Sequence, residues 1–197
     1  MLKVGLTGGL GTGKSTASRF FKKLGAFILD ADNSAKKLIA SSNEVKQELI
    51  KEFGTDIIDA NSNIDKKKLA RVAFQDKEHQ QRLNYVVHPH IHNAIDRSFN
   101  ETRNHNNHKL FIVDAALIYE SGYDTHLDYV IVVTAQLKHR MERALNRNTL
   151  TRDEILKRID FQWSEKDKIS IADFVIHNDG SESELNNQII GLFKKLV

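Results

Sequence analysis

The chain has 197 residues, 40% hydrophobic and 28% charged, which suits one α/β domain with inserted lobes. It holds no cysteine, which excludes disulfides, thiolate catalysis and cysteine-ligated zinc, and its net charge of +3 is too small to argue for a nucleic-acid partner. No apolar run is long enough for a bilayer and no apolar signal segment opens the chain, so a cytoplasmic protein without a membrane partner is expected, its oligomeric state left open.

In chain order, Leu2–Thr7 reads as a short buried strand running into the glycine-rich "GLTGGLGTGKST", Gly5 to Thr16. Residues 14–23 read as a helix with Ala17, Phe20, Phe21 and Leu24 on its apolar face, stopped by Gly25. "AFILD", Ala26 to Asp30, reads as a buried parallel strand. From there to residue 106 apolar residues recur at helical spacing: Leu69, Val72 and Ala73, then Leu83, Val86 and Val87, then Ile91, Ile95 and Phe99. Lys66-Lys67-Lys68 reads as a solvated helix start. Pro89 is expected in the first turn of the helix that carries Ile91. "NETRNHNNH", Asn100 to His108, reads as a polar connection. The whole stretch is too long for one crossover and reads as an inserted helical lobe. Strands resume at Lys109–Asp114 and Tyr129–Thr134. Two helices follow, then a strand at Phe174–Asn178 and a last helix through Leu185, Ile189, Leu192 and Leu196.

Gly8, Gly13, Lys14 and Ser15 fit G-x-x-x-x-G-K-[ST] between a strand and a helix. Such a loop turns its N–H groups onto phosphates, and the helix behind it presents its positive end. Gly8, Gly9, Gly11, Thr12, Gly13, Lys14, Ser15 and Thr16 are therefore candidate nucleotide contacts. Lys14 would reach the β- and γ-phosphates and the Ser15 hydroxyl would meet Mg²⁺. Asp114, closing the apolar "LFIVD", is the second candidate metal ligand. Together these predict a P-loop nucleoside triphosphate hydrolase-like three-layer α/β fold, a parallel doubly wound sheet with an inserted helical acceptor lobe and a helical lid. The expected parts of this single domain are a core of 1–31 with 107–135 and 172–197, a lobe of 32–106 and a lid of 136–171.

A guanine-switch protein is excluded, because no glycine has an aspartate three places before it and no [NT]-K-x-D segment occurs. An acceptor hydroxyl needs a carboxylate, and Asp32 lies just past the second strand; the same residue equally suits a helix N-cap. Arg140, Arg143 and Arg147 fall on one face if that segment is helical, with Arg158 on the next helix. They read either as a lid for transferring charge or as a solvated basic face paired with Glu142, Asp153 and Glu154. His88, His90 and His92 alternate and would diverge on a helix, so they do not read as a metal cluster; His88 reads as a cap or an acceptor contact.

At this point the chain resembles the dephospho-coenzyme A kinases over nearly its whole length. The resemblance is carried in order by "GLTGGLGTGKST", "LGAFILDAD", "LNYVVHPHI", "QLKHRMERALNRN" with "RIDFQ", and "ADFVIHNDGS". It implies ATP and Mg²⁺ as cofactors and transfer of a phosphoryl group to the ribose 3′-hydroxyl of dephospho-coenzyme A, the last step of coenzyme A synthesis. It puts the acceptor-orienting carboxylate on Asp32, the loop lysine on Lys14 and the lid arginines on Arg143 and Arg147, and leaves Arg140 without a counterpart. It also implies acceptor contacts at His88, Leu117, Glu120, Arg158 and Gln162, and places Asn178 beside the adenine. Two departures stand out: "AALIYE", Ala115 to Glu120, lacks the family's proline before Leu117, and Arg147-Asn148 replaces an Arg-Asp pair. A kinase for another small hydroxyl acceptor, such as a nucleoside monophosphate or shikimate, and a non-catalytic ATP-dependent binding protein are the alternatives.

Overall fold

The computed structural model describes residues 1–105 and 107–197. Its sheet has five parallel strands: β1 (Leu2–Thr7), β2 (Phe27–Asp30), β3 (Leu110–Asp114), β4 (Tyr129–Thr134) and β5 (Phe174–His177), in the order β2-β3-β1-β4-β5. The helices are α1 (Lys14–Lys23), α2 (Ala31–Ser41), α3 (Asn43–Phe53), α4 (Lys66–Ala73), α5 (Lys77–His105), α6 (Leu137–Leu145), α7 (Arg152–Asp160), α8 (Glu165–Ile171) and α9 (Glu182–Leu196). This is the parallel, doubly wound fold that the alternation of strands and helices predicts.

Burial on both faces explains why the strands read as continuous apolar runs. Val4, Leu6, Ile131 and Val133 point to one face and pack with Ala17, Phe20 and Phe21 of α1 and Leu185 and Ile189 of α9. Their neighbours Val130 and Val132 point to the other face, with Ile118 and Tyr119 and, partly buried, Ile169 of α8. Successive strand residues alternate sides, so one apolar run serves both layers.

The chain divides into two compact units, Met1–Asp30 with Ser98–Val197, and Ala31–Arg97. The first holds the sheet and its layers. In the second, a short 3-10 turn at Thr55–Ile57 packs against α3 and α4, with Val45, Leu49, Ile57, Leu69 and Ala73 buried. Asp65 caps α4 by accepting from the N–H groups of Lys67 and Lys68 at 2.8 and 3.1 Å, so the lysine triplet does open a helix.

Three expectations are corrected. Pro89 does not open a helix; it lies inside α5, a continuous helix of 29 residues. Proline forfeits a single N–H, and the buried Val86, Val87, Ile91 and Ile95 on either side of it hold the helix through packing instead. His88 is mid-helix for the same reason and caps nothing. Third, the stretch read as a connection from Asn100 is helical through His105, while Asn106 lies outside the described residues. There the Thr102 hydroxyl donates to Ser98 O at 2.8 Å and His105 Nδ1 meets Glu101 O at 2.7 Å, so polar side chains bond back to carbonyls one turn earlier.

Ile112, fully buried in β3 between β1 and β2, tests how much the sheet depends on this packing. Ile112→Ala is expected to lower the unfolding free energy by about 2–5 kcal/mol, read from urea denaturation.

Candidate active site

The glycine loop leaves the carboxyl end of β1 at the centre of the sheet and delivers the chain into α1. In open α/β sheets ligands sit outside such strand ends. Its conformation needs glycine, as two of its positions show. Gly11 has φ +81° and a Cβ there would overlap the Arg140 carbonyl oxygen; Gly13 has φ +95° and a Cβ would overlap the Asn178 amide. Gly13 is also the N-cap of α1, without a side-chain capping bond and with no acidic residue in the first turn. The N–H groups and positive end of α1 thus meet no anion of the helix's own. Lys14 adds its charge at the same end. Its ammonium pairs with the Asp114 carboxylate, which closes β3 in register with Leu6 of β1. Ser15 is exposed and Thr16 half-buried.

Side chains from far along the chain hold this loop. Asn178, just past β5, donates its amide to Thr12 O at 2.8 Å. Arg143 of α6 donates to Asn178 O at 2.9 Å and to Thr12 O at 3.5 Å. Gln162 accepts from the Leu10 N–H at 3.1 Å, and Glu165 accepts from the Gly9 N–H at 3.1 Å. Arg140 donates Nε to Leu10 O at 3.0 Å. Gln162 and Asn178, assigned from the resemblance to acceptor and adenine contacts, thus meet the loop backbone directly. The Thr12 hydroxyl is buried and has no hydrogen-bond partner among the described residues.

The turn after β3 carries Leu117 and Glu120. Glu120 Oε1 accepts from the Trp163 N–H at 2.8 Å and pairs at 2.9 Å with Lys168, a fully buried lysine of α8. Lys168 also donates to Ala116 O at 3.2 Å, and Thr7 Oγ1 to the same oxygen at 3.3 Å. The anchor of this turn is thus a backbone carbonyl, which any residue supplies. Tyr119 stacks on Trp163 at 6.0 Å, and burial pushes its hydroxyl pKa up to about 12.

Other sequence candidates fall elsewhere. Arg147 is not on the face of Arg140 and Arg143: α6 ends at Leu145, and Arg147 stands exposed in the following turn, where Asn148 takes φ +51°. Arg158 is exposed on α7. The partner of Arg140 is Glu165, from a helix two further along, and not the nearby Glu142, Asp153 or Glu154. Sequence reasoning missed Glu165 and Lys168, since local spacing carries no sign of pairings between residues as far apart in the chain as Arg140 and Glu165 or Glu120 and Lys168.

In the second unit Asp32 lies inside the first turn of α2, beyond the N-cap position, where the helix dipole favours an acid. His88 stacks on His92 one turn along, their centroids 6.0 Å apart. Burial first, then the neighbouring His92, lowers the His88 pKa to about 4. The ring is neutral near pH 7. No cluster of three or more His, Cys, Asp or Glu able to hold a metal occurs among the described residues, and no helix there is long and apolar enough to cross a membrane.

A Gly-Lys-Ser loop on the central strand of a parallel sheet, its lysine on the carboxylate that ends the neighbouring strand, defines a P-loop nucleotide-binding protein. The comparisons narrow this further. The family model for dephospho-CoA kinase matches residues 2–184, and the chain belongs to that family. It is 35% identical to a dephospho-CoA kinase of Aquifex aeolicus, over 100% of this chain and 98% of that protein. A crystal structure from Thermus thermophilus superposes with a TM-score of 0.80 at 30% identity, covering 100% of this chain and 98% of the other. The dephospho-CoA kinase from Campylobacter jejuni gives 0.69 at 25% identity, covering 98% and 96%.

Two outcomes follow. Gly11→Ala is expected to abolish measurable ATP binding in calorimetry, because both its φ and the Arg140 backbone forbid a side chain. For His88 the folded pKa lies below the unfolded value of 6.5, so the unfolded state binds more protons between them. Its stabilising contribution is complete above pH 6.5 and is lost as pH falls towards 4. His88→Gln is therefore expected to flatten the loss of stability on acidification from pH 7 to 4.5, measured by urea titration at each pH.

Proposed function

We propose that this chain transfers the γ-phosphoryl group of ATP to the ribose 3′-hydroxyl of dephospho-coenzyme A, completing coenzyme A biosynthesis. The observation that carries the reading is the glycine loop with its Lys14–Asp114 pair, set at the sheet centre of a chain whose family match runs over residues 2–184.

In this mechanism the loop amides and Lys14 hold the β- and γ-phosphates. The 3′-oxygen attacks the γ-phosphorus, the bond to the β–γ bridging oxygen breaks, and ADP leaves. The acceptor proton passes to Asp32 as the loose transition state develops. Arg143 and Arg147 neutralise charge on the transferring group, and a lid closed over the phosphates excludes water that would otherwise take the phosphoryl group. Arg158, Gln162, Leu117, Glu120 and His88 serve the acceptor, and Asn178 lies near the adenine. A neutral His88 offers the acceptor a hydrogen-bonding group without charge.

Ser15 and Asp114 supply a hydroxyl and a carboxylate, the hard oxygen donors that suit Mg²⁺ held chiefly by phosphates and water. When bound, that ion neutralises charge on the β- and γ-oxygens. Two protein donors suit a site that the nucleotide would complete.

ADP release from purified protein, Mg-ATP and a panel of acceptors tests the proposal. Release that depends on dephospho-coenzyme A is expected. Turnover with a different acceptor and none with this one would overturn it. Asp32→Asn is expected to lower kcat by about 10²–10⁴-fold with the KM for ATP little changed; an intact kcat would make the carboxylate structural.

A further inference from the structure

The crown of the loop, Gly9 to Gly11, is gripped on both sides of its backbone. The Gly9 N–H donates to Glu165 Oε1, and the Leu10 carbonyl accepts from Arg140 Nε. Arg140 and Glu165 in turn face each other, with Nη1 3.5 Å from Oε1. Arg140 is only 5% exposed although it starts from a helix at the domain surface, and the Glu165 carboxylate is largely buried beside it. The glycines leave room for this pair. A Cβ on Gly9 would overlap both the Arg140 guanidinium and the Glu165 carboxylate, and one on Gly11 would overlap the Arg140 carbonyl.

We propose that Arg140 and Glu165 are positioning residues that act as one clasp, fixing the loop crown in its phosphate-binding shape and so setting the affinity for the nucleotide. This rests on the reading of Gly8–Thr16 as the triphosphate site. The chemistry asks for these two residue types. The loop backbone offers one donor and one acceptor on adjacent residues, so the clasp needs an acceptor for Gly9 and a donor for Leu10. If only one were charged, a lone ion would be buried, and the two charges compensate each other. Arginine meets the Leu10 carbonyl and the carboxylate at once because its donors are spread over a planar fork; a lysine amine is a point on a flexible stem. Arg140 comes from α6 and Glu165 from α8, so the clasp also ties the loop crown to both ends of the expected lid segment. It contacts backbone on the side where the glycines have no side chains, and need not touch the nucleotide.

The test compares Arg140→Gln, Glu165→Gln, the double variant, Arg140→Lys and Lys14→Ala in the full chain, by calorimetric ATP affinity with Mg²⁺ and by steady-state kinetics. Each single change in the clasp is expected to weaken ATP binding about tenfold, the size of a hydrogen bond to a charged group. The KM for dephospho-coenzyme A should stay within about twofold, a split that general damage to the fold would not produce. The double variant should be no worse than the poorer single one, whereas multiplied effects of about a hundredfold would mean two independent residues and overturn the clasp. Arg140→Lys should recover little. Wild-type ATP affinity in Glu165→Gln, with Lys14→Ala impaired, would overturn the proposal even if Arg140→Gln fails to fold. Unchanged affinity in Lys14→Ala would instead remove the loop reading beneath it.

Discussion

A loop built to face phosphates cannot hold itself in place. Its N–H and C=O groups lie outside sheet and helix, and its glycines have no side chains to pack. In this chain that deficit is made up by Asn178, Arg143, Arg140, Gln162 and Glu165, each bonded to backbone between Gly9 and Thr12. The sheet makes the arrangement possible. β1 is central, so the loop at its end can be reached by residues that follow β4 and β5, and the carboxylate that ends β3 can reach Lys14.

The same logic explains why the region after β4 carries so many buried polar groups. Arg140 and Lys168 are charged and almost fully enclosed, and each is compensated by a carboxylate, Glu165 and Glu120 respectively. Both pairs also bond backbone: Arg140 and Glu165 the glycine loop, Lys168 and Glu120 the turn after β3 and the Trp163 amide. Buried pairs of this kind are costly to half-satisfy, which favours one arrangement of loop, turn and lid over looser ones. The turn after β3 is held through the Ala116 carbonyl.

Much was legible in the sequence where the signal is local. The strand–loop–helix unit at residues 2–23 followed from apolar runs and glycine spacing, and the structure reproduces it. The apolar strand ending in Asp114 was readable in the same way, as were the helices around Leu69 and Leu185. The errors have a common cause. Pro89, Asn100–His105 and Arg147 were judged by local propensity, and packing or side-chain bonds decided each: α5 runs through the proline and the polar stretch, and α6 stops before Arg147. Asp32 shows the limit from the other side, since spacing placed it near a helix start but could not tell the cap from the first turn.

By itself, then, the sequence determined the phosphate loop, the parallel α/β class and, through five ordered motifs, the kinase family, because these depend on contiguous residues whose backbone chemistry is written in their order. Only the tertiary structure decided which arginine is buried against the loop and which carboxylates answer Arg140 and Lys168. Only it could show that Gln162 and Asn178 brace backbone. Those pairings join residues more than a hundred positions apart in the case of the loop, and burial selects them: a charge removed from water must find its partner in space, whatever its distance along the chain.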